Sequence, residues 1–214
     1  IIFGINDLKE ENNSKIYNSL AVVDNNLNLI SYYYKNNLVP FGEFLPMENF
    51  LRKIGLKTIA HNYQSFSKGS ERKIISIKNQ YFDLSFLPLI CYEIIYSGKL
   101  KKTNNFDFII NISEDGWFGN SIGPHQHFTH SIFRAVEEGK NILRSANNGI
   151  SAFIDFNGNV IDKIESTQSG VLEIRNFKSN RETFFSKNGN NIFFYFLLFY
   201  ISLIFFLKIN RKIK

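Results

Sequence analysis

The residue with the clearest chemistry is Cys91, the only cysteine of the chain. Cys91 stands in LPLICYEIIY, after an apolar run and directly before Tyr92 and Glu93. A thiolate attacks carbonyl carbons well when a cation or base lies beside it and the end of a strand exposes the sulfur. A lone cysteine in an apolar strand is more often inert packing. On Cys91 alone, both interpretations stay open.

A second stretch offers the partners that such a thiolate needs. YYYKNNLVPFGEFLP, residues 32–46, places Lys35 at the end of a β-rich run and Glu43 in a Pro-Phe-Gly-Glu turn. An ammonium group is one of the donors that stabilise the oxyanion formed in acyl transfer. Both residues lie far from Cys91 in the sequence, and spacing alone does not bring them to it.

Three histidines, His125, His127 and His130, suggest a metal site at first sight. On a helix, His127 and His130 share a face while His125 points elsewhere, and no cysteine or carboxylate is placed to complete a tetrahedral site. We therefore expect packing and hydrogen bonding at a helix start, with no metal. Arg134 and Arg144 are expected to form ion pairs within the fold.

The elements that must position these residues predict an α/β domain. IYNSLAVVD and LNLISYYYK predict a hairpin with its turn at residues 24–26, and ISAFIDFNGNVIDKI predicts another with its turn at Asn157 and Gly158. DLSFLPLICYE and FDFIINISE are nearly continuous apolar runs, typical of strands that are covered on both faces. Cys91 would then lie at the end of a buried strand.

Two stretches between the strands predict helices. The first begins at Pro124 and ends at Gly139, with an apolar face made of Phe128, Ile132, Ala135 and Val136. The second, residues 47–57, places Met47, Phe50, Leu51 and Ile54 on one face, which either touches lipid or packs on its own domain. We expect residues 44–70 to form a partly lipid-facing lid.

The C-terminal tail predicts a membrane helix. Sixteen residues without a charge, Ile192 to Leu207, precede the basic sequence KINRKIK. At about 1.5 Å per residue they nearly span the hydrocarbon core of about 30 Å. A buried C-terminal helix is the alternative. The basic end places the C-terminus in the cytoplasm and the preceding domain on the other side. Much of the net charge of +6 lies here, which favours a membrane surface over nucleic acid as the acidic partner.

Four blocks of the sequence, taken in order, resemble the signature blocks of the apolipoprotein N-acyltransferase family: YYYKNNLVPFGEFLP, LICYEIIY, NISEDGWFGNSIGPHQHF and RAVEEGKNILRSANNGISAFID. That family carries a nitrilase-type domain of the carbon–nitrogen hydrolase superfamily between membrane helices. The resemblance implies an α/β fold, an incomplete nitrilase-type α–β–β–α sandwich followed by one transmembrane helix. It divides the chain into a catalytic domain at residues 1–185, a transmembrane helix at 191–209 and a basic cytoplasmic tail at 210–214.

The resemblance also implies a Glu-Lys-Cys triad. Cys91 is its nucleophile, and Lys35 is the lysine that stabilises the tetrahedral oxyanion. The chain opens on Ile1 without an initiator methionine, so we expect it to be part of a longer protein that carries the general-base glutamate upstream. We expect the 214 residues by themselves to be inactive. Glu43 matches a second glutamate, which positions the lysine or the active-site loop.

Three further residues match positions beside the family's active site. Tyr92 and Glu93 follow the nucleophile. Glu93 is expected to hold the strand-end turn or assist acyl transfer, and the alternative is a surface or salt-bridged carboxylate. Trp117, the only tryptophan, is expected to contact the substrate chain or to act as a purely structural ring.

The implied activity is ping-pong acyl transfer without cofactor or metal. Cys91 takes a fatty acyl chain from a phospholipid such as phosphatidylethanolamine and passes it to the α-amino group of a diacylglyceryl-cysteine on an apolipoprotein. The implied location is the bacterial inner membrane, with membrane lipids and apolipoproteins as partners. Two alternatives remain: a nitrilase-type amidase that hydrolyses a small C–N bond, and a non-catalytic module tethered to the membrane.

Overall fold

A three-stranded antiparallel sheet opens the chain in a computed structural model, which describes residues 1–9, 15–47, 50, 53, 55, 65–78, 83–98, 100, 106–174 and 181–212. Its strands, in spatial order, are β1 (Ile2–Lys9), β2 (Lys15–Val23) and β3 (Leu29–Tyr34). The predicted hairpin is confirmed as β2–β3. Its turn is held by Asp24, whose Oδ1 accepts hydrogen bonds from the backbone N–H groups of Asn26 and Asn28, each at 2.8 Å.

A six-stranded mixed sheet forms the centre of the domain. Its strands follow each other in sequence order: β4 (Ile75–Lys78), β5 (Asp83–Ile90), β6 (Phe108–Glu114), β7 (Asn141–Asn147), β8 (Ser151–Ile154) and β9 (Val160–Ile164). Strands β5, β6 and β7 are parallel, and the outer pairs are antiparallel. The two apolar runs are confirmed as neighbouring buried strands, because Leu87, Leu89 and Ile109 are fully buried. The hairpin β8–β9 turns through Gly158 at φ 87°.

Helix α1 (Gly123–Glu138) covers one face of the six-stranded sheet. Pro124 lies in its first turn, and Gly139 ends it in the left-handed conformation that glycine adopts without steric cost. Phe128 and Ala135 pack into the core of this face, as predicted. Val136 was wrongly placed on the apolar face, because 42% of it is exposed.

The other face of the six-stranded sheet packs against the three-stranded sheet. The core between them contains Leu20, Val22 and Tyr33 from the small sheet, with Phe86 and Ile90 from β5. The described layers are therefore sheet, sheet and helix, three of the four in the predicted α–β–β–α sandwich. The arrangement brings the end of β3 and the end of β5 to the same interface.

Two helices close the chain, the short α2 (Phe184–Asn188) and the long α3 (Asn191–Lys212). Residues Asn191–Ile209 of α3 are long and apolar enough to cross a membrane, and none of this stretch is buried against the domain. At about 1.5 Å per residue the stretch measures about 28 Å. The alternative of a helix buried in its own domain is therefore wrong.

The predicted helix at residues 47–57 and the predicted lid at residues 44–70 lie largely outside the described residues. Of the apolar helical face, Met47 and Phe50 are described, and both are exposed. The two proposals for this stretch, lipid contact and lid, stay predictions.

Candidate active site

Cys91 lies at a sharp turn where β5 ends. It is the first residue of a 3-10 turn, Cys91–Ile95, and its φ of 50° places it in the left-handed region. This conformation costs a non-glycine residue about 1–2 kcal/mol, so the surrounding structure must impose it. The side chain is partly exposed, and its Sγ lies 4.0 Å from the carbonyl oxygen of Glu114 at the end of β6. A strained turn of this kind lifts a nucleophile out of its strand.

Lys35 follows β3 and is held by Glu43. Its side chain is 1% exposed, and Nζ lies 2.9 Å and 2.8 Å from the two carboxylate oxygens of Glu43. Glu43 also accepts hydrogen bonds from Asn18 Nδ2 at 2.7 Å and from the backbone N–H of Val39 at 2.8 Å. Glu43 is thus fixed from three sides and holds the ammonium group of Lys35, while its role in a reaction stays a prediction.

Glu93 is fully buried, and four donors surround its carboxylate. Oε1 accepts from Tyr33 Oη at 2.8 Å and from the backbone N–H groups of Asn36 and Asn37, each at 3.0 Å. Oε2 accepts from the backbone N–H of Ile90 at 2.9 Å. Burial raises the pKa of Tyr33, and the charge of Glu93 raises it further, so this phenol stays protonated and donates.

Glu93 thereby joins the two halves of the site. Asn36 and Asn37 follow Lys35, whereas Ile90 precedes Cys91, so one carboxylate holds both segments. The guanidinium of Arg72 lies 3.5 Å from Oε1 and compensates the buried charge. Of the alternative, a surface or salt-bridged carboxylate, the surface position is wrong because Glu93 is fully buried, whereas the salt bridge is confirmed by Arg72. The bonds to both segments support a role in holding the strand-end turn.

Tyr92 and Trp117 lie at the rim of this region. Tyr92 packs edge-to-face on Tyr96, with ring centroids 5.9 Å apart. Trp117 stands on the 3-10 turn Gly116–Phe118, directly beyond Glu114, and is 62% exposed. An exposed indole is able to contact an apolar group. The substrate roles of both residues stay predictions.

A buried polar cluster at the end of β6 was largely missed from the sequence. Asp115 directly follows β6 and accepts from Ser113 Oγ at 2.6 Å and from Arg144 at 2.7 Å, while His127 Nδ1 lies 2.8 Å from Oδ1. Burial raises the pKa of Asp115, but the hydrogen bond from His127 and the charge of Arg144 outweigh this and lower it. The carboxylate therefore stays ionised. The position of Asp115 at a strand end was the available signal.

The other histidine and arginine predictions can be placed as well. Arg134 forms an ion pair with Glu137 at 2.8 Å, and Arg144 forms one with Asp115, as predicted. The imidazole of His127 is hydrogen-bonded to Asp115 and is not grouped with His125 and His130. Within the described part of the chain, no three His, Cys, Asp or Glu residues are grouped so that they could hold a metal ion.

The sequence of residues 1–175 matches the carbon–nitrogen hydrolase family. The chain belongs to this family. It is 40% identical to the apolipoprotein N-acyltransferase of Wigglesworthia glossinidia brevipalpis over an alignment of 222 residues. The alignment covers 98% of this chain and 42% of that protein. It is 37% identical over 211 residues to the apolipoprotein N-acyltransferase of Rickettsia prowazekii (strain Madrid E), covering 94% and 41%. The resemblance seen in the four blocks is confirmed, and the chain spans less than half the length of these relatives.

Solved structures of carbon–nitrogen hydrolases show the same fold. Saccharomyces cerevisiae Nit3, a member of branch 10 of the nitrilase superfamily, matches with a TM-score of 0.55 at 18% identity, covering 78% of this chain and 55% of Nit3. An amidase from Nesterenkonia sp. matches with a TM-score of 0.52 at 12% identity, covering 77% and 56%. These likenesses confirm the nitrilase-type α/β fold and say nothing about the substrate.

The site residues predicted from the sequence fall into two groups. Hydrogen bonds link Lys35 to Glu43 and, through Glu93, tie the segment after Lys35 to the strand before Cys91. Tyr92 and Trp117 take no part in these bonds. The chemical roles of all of them are developed below as proposals.

Proposed function

We propose that the chain is the catalytic part of a membrane-bound N-acyltransferase. It moves a fatty acyl chain from a phospholipid, through a thioester on Cys91, to the α-amino group of a diacylglyceryl-cysteine on an apolipoprotein. The observation that carries the proposal is similarity to an apolipoprotein N-acyltransferase over 98% of the chain, which includes the apolar helix α3 as well as the hydrolase fold. An amidase with a small soluble substrate has no need of such a helix.

The first half-reaction loads the thiol. The Cys91 thiolate attacks the carbonyl carbon of a phospholipid ester, with phosphatidylethanolamine as the expected donor, and the C=O π electrons move onto oxygen. The ammonium of Lys35, oriented by Glu43, stabilises that oxyanion. When the carbonyl reforms, the C–O bond to glycerol breaks, and the alkoxide takes a proton and leaves as lysophospholipid. The acyl group stays on sulfur as a thioester.

The second half-reaction releases the acyl group to the acceptor. The neutral α-amine of the diacylglyceryl-cysteine attacks the thioester carbon, and a C–N bond forms. The C–S bond then breaks, the nitrogen loses a proton, and the Cys91 thiolate is restored. Thiolate suits both steps because it is a good nucleophile and a good leaving group. A triad glutamate, expected upstream of Ile1, would act as the general base in both steps.

A membrane helix suits an enzyme whose two substrates are both lipids. With α3 crossing the inner membrane, residues 1–185 lie on the periplasmic side and the basic end of the chain lies in the cytoplasm. The ester of the donor and the diacylglyceryl group of the acceptor then meet the domain at the membrane surface, and their acyl chains need not leave the bilayer. The exposed Trp117 would contact an acyl chain there.

Intact-mass spectrometry of the full-length protein in detergent tests the proposal. After incubation with phosphatidylethanolamine and no acceptor, we expect one added acyl mass that neutral hydroxylamine removes, because hydroxylamine cleaves thioesters. The Cys91→Ala protein should gain no mass, and Cys91→Ser should gain at most an oxyester that resists hydroxylamine.

Two outcomes would overturn the proposal. A folded wild-type protein without any adduct would favour the non-catalytic module. Hydrolysis of small amides without lipid-derived acylation would favour the amidase.

A further inference from the structure

The segment that leads into α3, residues 181–190, is fastened to the end of α1. The backbone N–H of Arg181 donates to the carbonyl of Gly139 at 3.1 Å. Thr183 Oγ1 donates to the carbonyl of Glu137, and the same oxygen accepts from the backbone N–H of Ser186 at 2.9 Å, which caps α2. The approach to the apolar helix is therefore part of the folded domain.

The same segment also contacts the turn that follows the nucleophile. Asn190 Nδ2 donates to the carbonyl of Ser97 at 3.1 Å. Gly98 has a φ of 64°, and a Cβ there would lie 2.8 Å from the backbone nitrogen of Asn190. A Cβ on Gly189, with φ 52°, would lie 2.8 Å from the carbonyl oxygen of Gly98. Two glycines thus let the backbones of turn 97–98 and residues 189–190 touch.

Turn 97–98 is in turn continuous with the 3-10 turn that begins at Cys91. Ser97 Oγ donates to the carboxylate of Glu137 at 3.0 Å, which fixes the turn to α1 from a second side. The 3-10 turn rises about 2 Å per residue, and an extended residue spans at most about 3.5 Å. The path from Cys91 to Gly98 is then at most about 20 Å long, and Gly98 touches residues 189–190, which directly precede α3.

We propose that the contact between turn 97–98 and residues 189–190 sets the position of Cys91 relative to the membrane surface. This inference rests on the proposed function, because it requires that α3 crosses the membrane and that the donor ester lies in the bilayer. A helix joined by a free linker would let the domain move away from the surface. The clamp of Gly98, Gly189 and Asn190 fixes the nucleophile near the depth of the lipid esters. These three are positioning residues and do not touch the reacting atoms.

The test compares two acyl donors on the full-length protein reconstituted in vesicles. One donor is phosphatidylethanolamine in the bilayer, and the other is a water-soluble short-chain p-nitrophenyl ester that reaches Cys91 without the membrane. We expect Asn190→Ala, which loses the bond to Ser97, to slow acylation from the bilayer donor about fivefold, the effect of one hydrogen bond. Its rate with the soluble ester should stay within about twofold of wild type.

Asn188→Ala is the matched control. Asn188 Nδ2 donates to the carbonyl of Phe184 at 2.9 Å, so the same substitution two residues away removes a similar bond without touching turn 97–98. It should leave both rates unchanged. Gly98→Ala, which forces the backbones apart, should slow the bilayer reaction more than tenfold.

Three results would overturn the inference. Equal bilayer rates in the two asparagine variants would show that the contact does not position the nucleophile. Equal slowing of both donors in Asn190→Ala would show a distorted site instead. A wild-type protein that takes no acyl group from the bilayer would overturn the proposed function and this inference with it, whereas the first two results leave the proposed function standing.

Discussion

Replacement of Glu93 by glutamine tests whether one buried carboxylate holds the active site together. The variant keeps the shape of the side chain but has a single acceptor oxygen. In its least costly orientation, the glutamine oxygen keeps the three hydrogen bonds from Tyr33, Asn36 and Asn37. The amide nitrogen then points toward the backbone N–H of Ile90. Two donors then face each other in a fully buried site.

The magnitude follows from the bonds that change. A lost hydrogen bond to a charged acceptor costs about 1.5–3 kcal/mol. The three remaining bonds lose their charge assistance, and Arg72, 3.5 Å away, loses its counter-charge. We expect the free energy of unfolding to fall by about 3–5 kcal/mol in total. For a chain of this size that corresponds to a melting temperature lower by about 10 °C.

Thermal melting in mild detergent, followed by far-UV circular dichroism, measures the effect. Glu165→Gln is the matched control, because Glu165 is half-exposed and pairs with the half-exposed Lys163. Exposed ion pairs contribute up to about 1 kcal/mol, so the control should melt within about 3 °C of wild type. A Glu93→Gln protein that melts together with the control would refute the idea that this carboxylate ties the two halves of the site.

Two further predictions concern other buried groups. Burial, followed by the charge of Glu137, raises the pKa of Glu138 to about 7. Above pH 4.5 the folded state keeps a proton that the unfolded state loses, so wild-type stability falls as the pH rises toward 7. Glu138→Gln should match wild type near pH 4.5 and exceed it by about 3 kcal/mol at pH 8, measured by melting at both pH values; no pH-dependent difference would contradict the shift. Gly149→Ala should cost about 2–3 kcal/mol, because its Cβ would lie 2.7 Å from the Cγ of the buried Asp115. In the control Gly170→Ala the Cβ would meet the flexible end of the Ile164 side chain at 3.2 Å, so equal melting of the two variants would argue against this packing.

Much of the fold was predictable because its signals are local. The continuous apolar runs predicted strands β5 and β6, and Pro124 and Gly139 predicted the two ends of helix α1. Strand β1 was not predicted, since six of its eight residues are exposed and its pairing with β2 defines it. Val136 was misplaced because helical periodicity alone does not say how wide the covered face is.

The site was predictable only in part, and mainly through family resemblance. The resemblance pointed to Cys91, Lys35 and Glu43, and the structure pairs Lys35 with Glu43. The left-handed φ of Cys91 could not be predicted locally, since the residue is neither glycine nor asparagine. The burial of Glu93 could not be predicted from the sequence either. Two of its four donors are the main-chain N–H groups of Asn36 and Asn37, and backbone donors leave no trace in a side-chain pattern.

The bonds of Glu93 also constrain the order in which this chain assembles. Its bond to Ile90 closes over three residues, whereas those to Asn37 and Asn36 close over 56 and 57. Long loops close late, because their entropy must be lost before the contact forms. We therefore expect the turn at Cys91 to form early and the segment after Lys35 to join it only when the two sheets meet. Until that step, the carboxylate of Glu93 would lack the two backbone donors that hold it in the folded chain.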